Sequence, residues 1–250
     1  MSERGLFITF ESIDGVGKTT QYKILVETLK AADYEVFATK EPGDKNSGSS
    51  VGVGIRNLVF KNPTTLNMSP GVADLLFLAD HIQTTGDVVN SLKAGKIVIS
   101  DRYADSQFAY GSAKSKACPS WGLDLFAQHY GPVPDVLLFL KAVGPTEDPD
   151  DISWALERGK ARSGDEAGKQ EGKAWNNVVE QKAIQDKYLE YLSDQDHVAI
   201  IPVYKETTQE KLSEKIWEVV SIALQYGNYS DKPINYDNPY SDRLTPDYGS

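Results

Sequence analysis

The segment 12–19, with the sequence SIDGVGKT, has the residue types and the spacing of a Walker A loop, which binds phosphate groups. Gly15 and Gly17 allow the backbone to turn its N–H groups toward phosphate oxygens, and a helix that begins after the loop directs its positive end at the same anion. Lys18 is placed to contact the β- and γ-phosphates of a nucleoside triphosphate, and the Thr19 hydroxyl can bind Mg²⁺. The predicted phosphate-binding residues are Ser12, Gly15, Val16, Gly17, Lys18, Thr19 and Thr20.

The segment departs from the Walker A pattern at one position, and two alternative interpretations of it have to be considered. Ser12 stands where a Walker A loop usually has its first glycine, and serine fits that place if its φ is negative. The triplet Gly15-Val16-Gly17 also begins a dinucleotide-binding fingerprint, but Thr20 stands where the third glycine is required, which excludes the fingerprint. An ordinary turn with a solvated lysine is the other alternative, and the position of the segment between a strand and a helix disfavours it.

A second group of polar residues directly follows the apolar segment 97–100. Asp101 lies where a strand is expected to end, near the predicted phosphate loop, and can bind Mg²⁺ or its water ligands. Arg102 has a rigid guanidinium that matches phosphate oxygens, and a structural Asp–Arg pair is the alternative. Because kinases, GTPases and ATPases share the phosphate loop, this second group is what favours a kinase.

Apolar runs of strand length alternate along the chain with segments of helical spacing. Such alternation predicts βαβ units, and hence an α/β fold with a five-stranded parallel sheet flanked by helices on both faces. In such sheets ligands bind at the carboxyl ends of the strands, where both polar groups lie. The predicted strands are 6–10, 36–39, 97–100, 136–140 and 197–203, and the predicted helices are 19–32, 51–60, 69–94, 105–113, 120–130, 150–160, 174–193 and 208–226.

Composition limits the classes of protein to which this chain can belong. Its 250 residues fit one domain, predicted for residues 1–226, and the segment 227–250 is expected to be an extended or disordered tail, or an arm that packs on a partner subunit. Cys118 is the only cysteine, so no intrachain disulfide forms, and no apolar run approaches the ~20 residues of a membrane span. A formal net charge of −10 repels nucleic acid and anionic membranes. We therefore expect a cytoplasmic protein that binds neither.

Four segments of the chain resemble segments of the thymidylate kinase family. Residues 10–21 (FESIDGVGKTTQ) are similar to the phosphate loop of the family, and residues 40–43 (KEPG) are similar to its R-E-P-G segment. Residues 75–81 (LLFLADH) resemble its base-binding helix, and residues 101–110 (DRYADSQFAY) resemble its D-R-Y-x-x-S-x-x-A-Y motif. The resemblance implies a P-loop kinase fold with a lid segment, a homodimer, and Mg²⁺-dependent transfer of a phosphoryl group from ATP to dTMP. The products would be ADP and dTDP, in dTTP biosynthesis.

The same resemblance implies roles for individual residues. Asp14 would bind the 3′-hydroxyl of the acceptor, and Arg56 and Arg102 would bind its 5′-phosphate. Phe77 would stack on the pyrimidine, with a core aromatic residue as the alternative, and Tyr110 would disfavour ribonucleotides. The implied metal ligands are Thr19 and Asp101, and the implied acceptor-binding set is Asp14, Glu41, Pro42, Arg56, Phe77, His81, Arg102, Ser106, Gln107 and Tyr110.

Residues 157–173 correspond to the lid of this family, which closes over the phosphates of the donor. Forms with glycine rather than arginine at the position of Gly15 resemble the bacterial type, in which the catalytic arginine lies in the lid. Arg158 and Arg162 fit that role, because arginine stabilises the charge on a phosphoryl group in transfer. A solvated helix face is the alternative for this stretch of mixed charge. The implied catalytic residues are Lys18, Arg102, Arg158 and Arg162.

Three positions depart from the family pattern in ways that bear on the site. Lys40 replaces the arginine of R-E-P-G, Asp44 replaces the next glycine, and His81 replaces the arginine that hydrogen-bonds the thymine ring. A neutral imidazole can still donate one hydrogen bond to thymine O4, directly or through a water molecule. Since His81 is shorter than arginine, it would also leave space in the pocket. The alternative acceptor is therefore another deoxynucleoside monophosphate, or one with a modified base.

Two other activities are compatible with a phosphate loop. A nucleoside kinase would not require Arg56 and Arg102 to bind an acceptor phosphate. A nucleotide switch of the GTPase type requires an N-K-x-D motif after a strand, which the chain lacks, and the D-x-x-G match at residues 165–168 falls in the predicted lid, not after a strand. Dependence of turnover on a monophosphate acceptor distinguishes these activities from the predicted one.

Overall fold

A computed structural model describes residues 4–61, 68, 70–113, 129, 131–162 and 177–226. Within these residues the chain forms five strands, seven α-helices and a π-helical turn. None of the helices in these ranges combines the length and the apolar character needed to cross a membrane. The elements are β1 (Phe7–Glu11), α1 (Lys18–Ala31), β2 (Val36–Lys40), α2 (Ser50–Arg56), the π-helical turn (Asn57–Lys61), α3 (Pro70–Lys93), β3 (Ile97–Asp101), α4 (Ala104–Ala113), β4 (Val136–Ala142), α5 (Ser153–Arg162), α6 (Val178–Leu192), β5 (Val198–Val203) and α7 (Gln209–Tyr226).

The five strands form one parallel sheet with the order β2-β3-β1-β4-β5. The predicted α/β fold with a five-stranded parallel sheet is therefore confirmed. β1 lies in the middle between β3 and β4, and all five of its residues are buried, as are all five residues of β3. Burial of every residue is expected for strands that are covered on both faces.

The side chains of the central strands alternate between two apolar clusters, one on each face of the sheet. Ile8 and Phe10 of β1 pack in one cluster with residues of α1, α6 and α7, whereas Phe7 packs in the other cluster with residues of α3 and α4. In β3, Ile99 belongs to the first cluster and Val98 to the second. Helices therefore cover both faces, as the alternation of elements predicts.

The predicted boundaries agree with the observed ones to within a few residues, with two informative differences. The predicted helix 51–60 is divided, because α2 ends at Arg56 and the π-helical turn follows. β4 continues two residues past its predicted end, since Lys141 and Ala142 remain paired with β5. Apart from His129, the predicted helix 120–130 lies outside the described residues, and so do lid residues 163–173 and the tail 227–250.

The register of three neighbouring strands brings their carboxyl ends to one place. Asp101, at the end of β3, is the register partner of Phe10 in β1 and of Lys40 in β2. The loops that follow β1, β2 and β3 therefore leave the sheet side by side. This edge of the sheet carries the candidate site, as is usual for open parallel sheets.

Candidate active site

The loop between β1 and α1 has the backbone conformation that a phosphate loop requires. Gly17 precedes α1 with a φ of 114°, and Gly15 has a φ of 81°, both in the left-handed region that favours glycine. At Gly15 a Cβ atom would also lie 1.8 Å from the carbonyl oxygen of Ala155 in α5, so no side chain fits there. Ser12 does not have a positive φ, which is the condition under which serine can replace the usual glycine.

Lys18, Thr19 and Asp101 form a polar group beside this loop. The Lys18 ammonium is ion-paired with the Asp101 carboxylate, and Thr19 Oγ1 donates a hydrogen bond of 2.9 Å to Asp101 Oδ2. Burial lowers the pKa of Lys18 to about 8, against the opposing effect of the Asp101 charge. Burial raises the pKa of Asp101, but the charges of Lys18 and Lys40 outweigh it and hold that pKa below its usual range. Both partners of the pair are therefore ionised near neutral pH.

The oxygens of Thr19 and Asp101 fit a Mg²⁺ ion that keeps most of its ligands on a bound nucleotide. In phosphoryl-transfer sites Mg²⁺ takes one or two protein oxygens and completes its coordination with phosphates and water. The hydroxyl and the carboxylate are adjacent, so one ion can contact both. In the ranges that the structure describes, no group of three or more His, Cys, Asp or Glu side chains could hold a metal by itself. The site therefore suits an ion that arrives with the nucleotide.

Two of the departures from the family pattern, Lys40 and Asp44, form an ion pair with each other. The Lys40 ammonium lies 3.0 Å from Asp44 Oδ2 and 3.7 Å from Asp101 Oδ2. Asp44 Oδ1 also accepts hydrogen bonds from the backbone N–H groups of Asn46 and Ser47. Lys40 thereby connects the turn after the K-E-P-G segment to the carboxylate beside the phosphate loop.

A cavity opens next to the phosphate loop at the carboxyl edge of the sheet. Its empty volume, including space open to solvent, is about 860 Å³. Nine of the ten predicted acceptor-binding residues line it, all except His81. The lining residues are Asp14, Glu41, Pro42, Arg56, Phe60, Asp74, Phe77, Asp80, Arg102, Tyr103, Ser106, Gln107 and Tyr110.

Four lining residues were not identified from the sequence: Phe60, Asp74, Asp80 and Tyr103. Asp74 precedes Phe77 by three residues and Asp80 follows it by three, which places all of them on one face of α3. Helical periodicity around Phe77 could therefore have found both acidic residues. Phe60 belongs to the π-helical turn, whose irregular geometry leaves no pattern in the sequence.

Aromatic rings and guanidinium groups occupy different parts of the cavity wall. The Phe77 ring packs against the Phe60 ring with a centroid distance of 5.8 Å and a tilt of 34°. The Arg56 guanidinium lies over the Phe60 ring and donates hydrogen bonds to the carbonyl oxygens of Pro42 and Gly43 at 3.0 and 3.1 Å. The rings suit a planar base, and the guanidinium groups suit a phosphate.

The Arg102 guanidinium is held at both of its edges. Nη2 donates to Asp14 Oδ1 at 2.7 Å and to the Tyr110 hydroxyl at 3.1 Å, and Nη1 donates to the carbonyl oxygen of Ser12 at 2.9 Å. The backbone of Arg102 has a φ of 75°, a conformation that costs a non-glycine residue about 1–3 kcal/mol. The surrounding contacts hold Arg102 in that conformation, between the phosphate loop and the cavity.

A buried cluster that the sequence does not reveal lies behind Arg102. Glu11 Oε2 accepts hydrogen bonds from Ser106 Oγ at 2.5 Å and from the Tyr188 hydroxyl at 2.8 Å, and Oε1 accepts one from the backbone N–H of Tyr103 at 2.8 Å. Burial raises the pKa of the Glu11 carboxyl to about 7, and the Arg102 charge opposes that rise. Glu11 and Tyr188 are 177 positions apart, so no local pattern connects them.

The structure does not place His81 in the cavity wall. Its side chain is fully buried, its Nδ1 lies 2.9 Å from Glu41 Oε2, and its ring packs edge-on against the Tyr103 ring at 4.7 Å. Glu41 and Tyr103 line the cavity, so the His81 side chain lies behind these two residues. The predicted role of His81 in binding the acceptor, directly or through a water molecule, stays a prediction.

The first part of the predicted lid belongs to α5, which contacts the phosphate loop at Gly15. Arg158 lies on this helix, with its guanidinium 4.8 Å from the centre of the Trp154 ring and a hydrogen bond of 2.9 Å to the carbonyl oxygen of Lys205. These contacts are with elements other than the phosphate loop, and the catalytic role of Arg158 stays a prediction. α5 ends at Arg162, whose side chain lies outside the described part of the chain.

Comparison with known proteins points to one family. A family model described as thymidylate kinase matches residues 10–216. A thymidylate kinase of Ruegeria pomeroyi is 38% identical over 169 residues, which are 66% of this chain and 73% of that protein. A thymidylate kinase of Bifidobacterium longum is 38% identical over 118 residues, which are 46% of this chain and only 55% of that relative. A solved thymidylate kinase structure from Candida albicans superimposes on this chain with a TM-score of 0.66 at 24% identity. The match covers 90% of this chain and 94% of that one. This likeness shows that the fold is that of a P-loop kinase.

Proposed function

Because the chain belongs to the thymidylate kinase family, we propose that it transfers a phosphoryl group from ATP to dTMP, giving ADP and dTDP for dTTP biosynthesis. It is a nucleoside monophosphate kinase and hence a phosphotransferase. The observation that carries the proposal is the position of Arg102, which bonds the phosphate loop at Ser12 and also lines the adjoining cavity. A guanidinium in that position can hold an acceptor phosphate next to a donor phosphate.

The cavity would hold the acceptor by its two ends. Arg102 and Arg56 would bind the 5′-phosphate, and Asp14, whose carboxylate accepts from Arg102, would bind the 3′-hydroxyl. The Phe77 and Phe60 rings would contact the base. Glu41, Pro42, Ser106, Gln107 and Tyr110 complete the proposed acceptor site, with Tyr110 next to the sugar.

The phosphate loop would hold the donor. Its backbone N–H groups and the amino end of α1 would contact the donor phosphates, and Lys18 would exchange part of its pairing with Asp101 for contacts to the β- and γ-phosphates. Thr19 and Asp101 would hold the Mg²⁺ ion of the nucleotide, which neutralises phosphate charge when it is bound. The α5 residue Arg158, and Arg162 after it, would add positive charge around the transferred group.

The proposed reaction is a direct in-line transfer. An oxygen of the acceptor 5′-phosphate forms a bond to the γ-phosphorus of ATP while the bond from that phosphorus to the ADP oxygen breaks. The side chains of this site need form no covalent intermediate, because catalysis of such a transfer comes from positioning and from stabilisation of charge. Arg102 would hold the acceptor phosphate and Lys18 the donor phosphates, one on each side of the transferred group.

A panel of acceptors tests this function. Purified protein with Mg²⁺ and ATP is expected to turn over dTMP with the highest kcat/KM in a set that also contains dUMP, dCMP, dGMP and thymidine. Thymidine should not react, because it lacks the phosphate that Arg102 and Arg56 would bind. Formation of each nucleoside diphosphate is followed by chromatography, and removal of Mg²⁺ with EDTA is the control. Thymidine as the preferred acceptor, or ATP hydrolysis that no monophosphate increases, would contradict the proposal.

The burial of His81 gives a prediction about base preference. His81→Leu is expected to destabilise the protein by about 1–3 kcal/mol, because the buried Glu41 carboxylate loses a hydrogen-bonding partner. His81→Asn is the matched control, since its amide nitrogen can replace Nδ1 and retain most of the stability. Thermal unfolding measures this difference. The ratio of kcat/KM for dTMP to that for dUMP should be unchanged in both variants, and a changed ratio in both would indicate a direct contact with the base.

The remaining proposals concern partners and location. Val72, Leu75, Ala79 and Ile82 form an apolar stripe on the exposed face of α3, at the spacing of one helix face. Such a stripe supports a homodimer in which this helix packs against its copy, and sedimentation equilibrium would contradict it by finding a monomer at assay concentrations. A cytoplasmic location, without nucleic-acid or membrane partners, stays a prediction from the composition.

A further inference from the structure

Arg102 is held from behind by Tyr188, a residue of α6 that has no part in the proposed chemistry. Nη1 of Arg102 donates to Ser106 Oγ at 3.1 Å and to the Tyr188 hydroxyl oxygen at 3.4 Å. Tyr188 is fully buried and is not among the residues that line the cavity. It therefore cannot touch an acceptor, and any effect on the acceptor must pass through the residues that it contacts.

The Tyr188 hydroxyl is fixed in place by its surroundings. It donates to Glu11 Oε2 at 2.8 Å and lies 2.8 Å from Ser106 Oγ, while its ring packs against the Phe139 ring at a centroid distance of 5.0 Å. Burial, with the Glu11 charge as a second cause, raises the pKa of Tyr188 well above its ordinary value. The hydroxyl therefore keeps its proton and remains a donor to Glu11.

Two hydroxyl groups stand between the Glu11 carboxylate and the Arg102 guanidinium. Each of them, on Ser106 and on Tyr188, donates to Glu11 and accepts from Nη1 of Arg102. Above its pKa of about 7 the Glu11 carboxylate only accepts hydrogen bonds, and a guanidinium only donates them, so in that form this orientation of both hydroxyl groups satisfies all the partners. The carboxylate thus turns the hydroxyl protons toward itself and the oxygen lone pairs toward Arg102.

We propose that Tyr188 is a positioning residue for Arg102, fixing the inner edge of the guanidinium so that the outer edge faces the phosphate of the acceptor. This inference rests on the proposed function, since the acceptor phosphate is the group that Arg102 would bind. Without the Tyr188 hydroxyl, Nη1 keeps only the Ser12 carbonyl and Ser106 Oγ, and the guanidinium gains freedom to rotate. Groups that orient a binding residue in this way affect affinity without touching the ligand.

The substitution Tyr188→Phe tests the proposal because it removes the hydroxyl and leaves the ring packed on Phe139. We expect the KM for dTMP to rise about 5- to 10-fold, with kcat within about threefold and the KM for ATP within about twofold of wild type. Tyr191→Phe is the matched control, since Tyr191 lies on the same helix, is also buried, and packs against Phe108 in the cluster on the other face. Its KM values should be unchanged.

A double-mutant cycle with Arg102→Lys tests the route of the effect. If Tyr188 acts through Arg102, Tyr188→Phe should change kcat/KM for dTMP by less than about twofold in the Arg102→Lys background. Equal effects in both backgrounds, or a lower melting temperature with an unchanged KM for dTMP, would overturn the proposal. A wild-type protein that does not turn over dTMP would instead overturn the proposed function.

A second variant keeps the test decisive if Tyr188→Phe does not fold. Glu11→Gln retains an acceptor for the Tyr103 N–H and directs an amide donor at the two hydroxyl groups. The two hydroxyl protons would lose their acceptor on Glu11, so the hydroxyl groups could turn and would hold Arg102 less firmly. The KM for dTMP should therefore again rise while the KM for ATP does not. An unchanged KM for dTMP in a folded Glu11→Gln protein would overturn the proposal.

Discussion

Replacing Arg102 with lysine is expected to lower kcat/KM for dTMP by about 100-fold while the KM for ATP stays within about twofold of wild type. Lysine keeps the charge, but its single ammonium cannot bond Ser12 and Asp14 and an acceptor phosphate together as the planar fork does. A charge-assisted hydrogen bond contributes about 1.5–3 kcal/mol, so losing one or two of them accounts for an effect of this size. ATP is spared because the phosphate loop and Lys18 bind it.

Steady-state kinetics with dTMP varied at saturating ATP measure this effect. Arg4→Lys is the matched control, because Arg4 also forms a two-pronged ion pair, with Asp135 at 2.7 and 2.9 Å, at the opposite end of the strands. That variant should lose stability and keep its kinetic constants. If both variants lost only stability, Arg102 would be a structural residue and the acceptor site would have to lie elsewhere.

Replacing Lys18 with methionine is expected to lower kcat by about 100- to 1,000-fold, as removal of one donor to a developing charge does in other enzymes. Lys18 lies beside the phosphate loop and does not line the acceptor cavity, so the KM for dTMP should change less than about threefold. Methionine keeps most of the length and the apolar stem of the side chain and removes the ammonium group with its charge and donors. Asp101 keeps Thr19 and Lys40 as partners, which limits the loss of stability.

Turnover at saturating ATP and dTMP is the measurement for the lysine substitution. Lys23→Met is its control, because Lys23 lies on the same helix with its side chain exposed and the variant loses the same charge. Kinetic constants of Lys23→Met should match those of the wild type. A Lys18→Met protein with normal kcat would mean that the loop does not carry the donor phosphates during transfer.

The fold and most of the cavity wall were predictable because their signals are local in the chain. Gly15, Gly17 and Lys18 lie within four positions, and the spacing of such a loop is readable without any knowledge of the sheet. The strands read as short apolar runs because β1 and β3 are buried on both faces. The acceptor residues were identified by their resemblance to short family motifs, and nine of the ten line one cavity.

The direction of the His81 side chain could not be predicted from the motif that contains it. Its place on α3 follows from the motif, and the helix is present where predicted. The direction of its side chain depends on Glu41 and Tyr103, which come from other segments and meet it inside the fold. The burial of His81 behind Glu41 and Tyr103 is therefore not evident from the motif.

The sequence alone determines the features that depend only on the order of residues along the chain. Hydrophobic periodicity indicates the α/β class and the carboxyl edge of the sheet, and the order of glycine, lysine and threonine after the first strand indicates the phosphate loop. The pairing of polar groups does not follow from the order of the residues alone. Lys40 lies 3.7 Å from Asp101 Oδ2, and Glu11 bonds Tyr188 behind Arg102, because strand order and helix packing bring distant positions into contact. Hydrogen bonds between such positions depend on distances that exist only once the sheet and its helices have packed together.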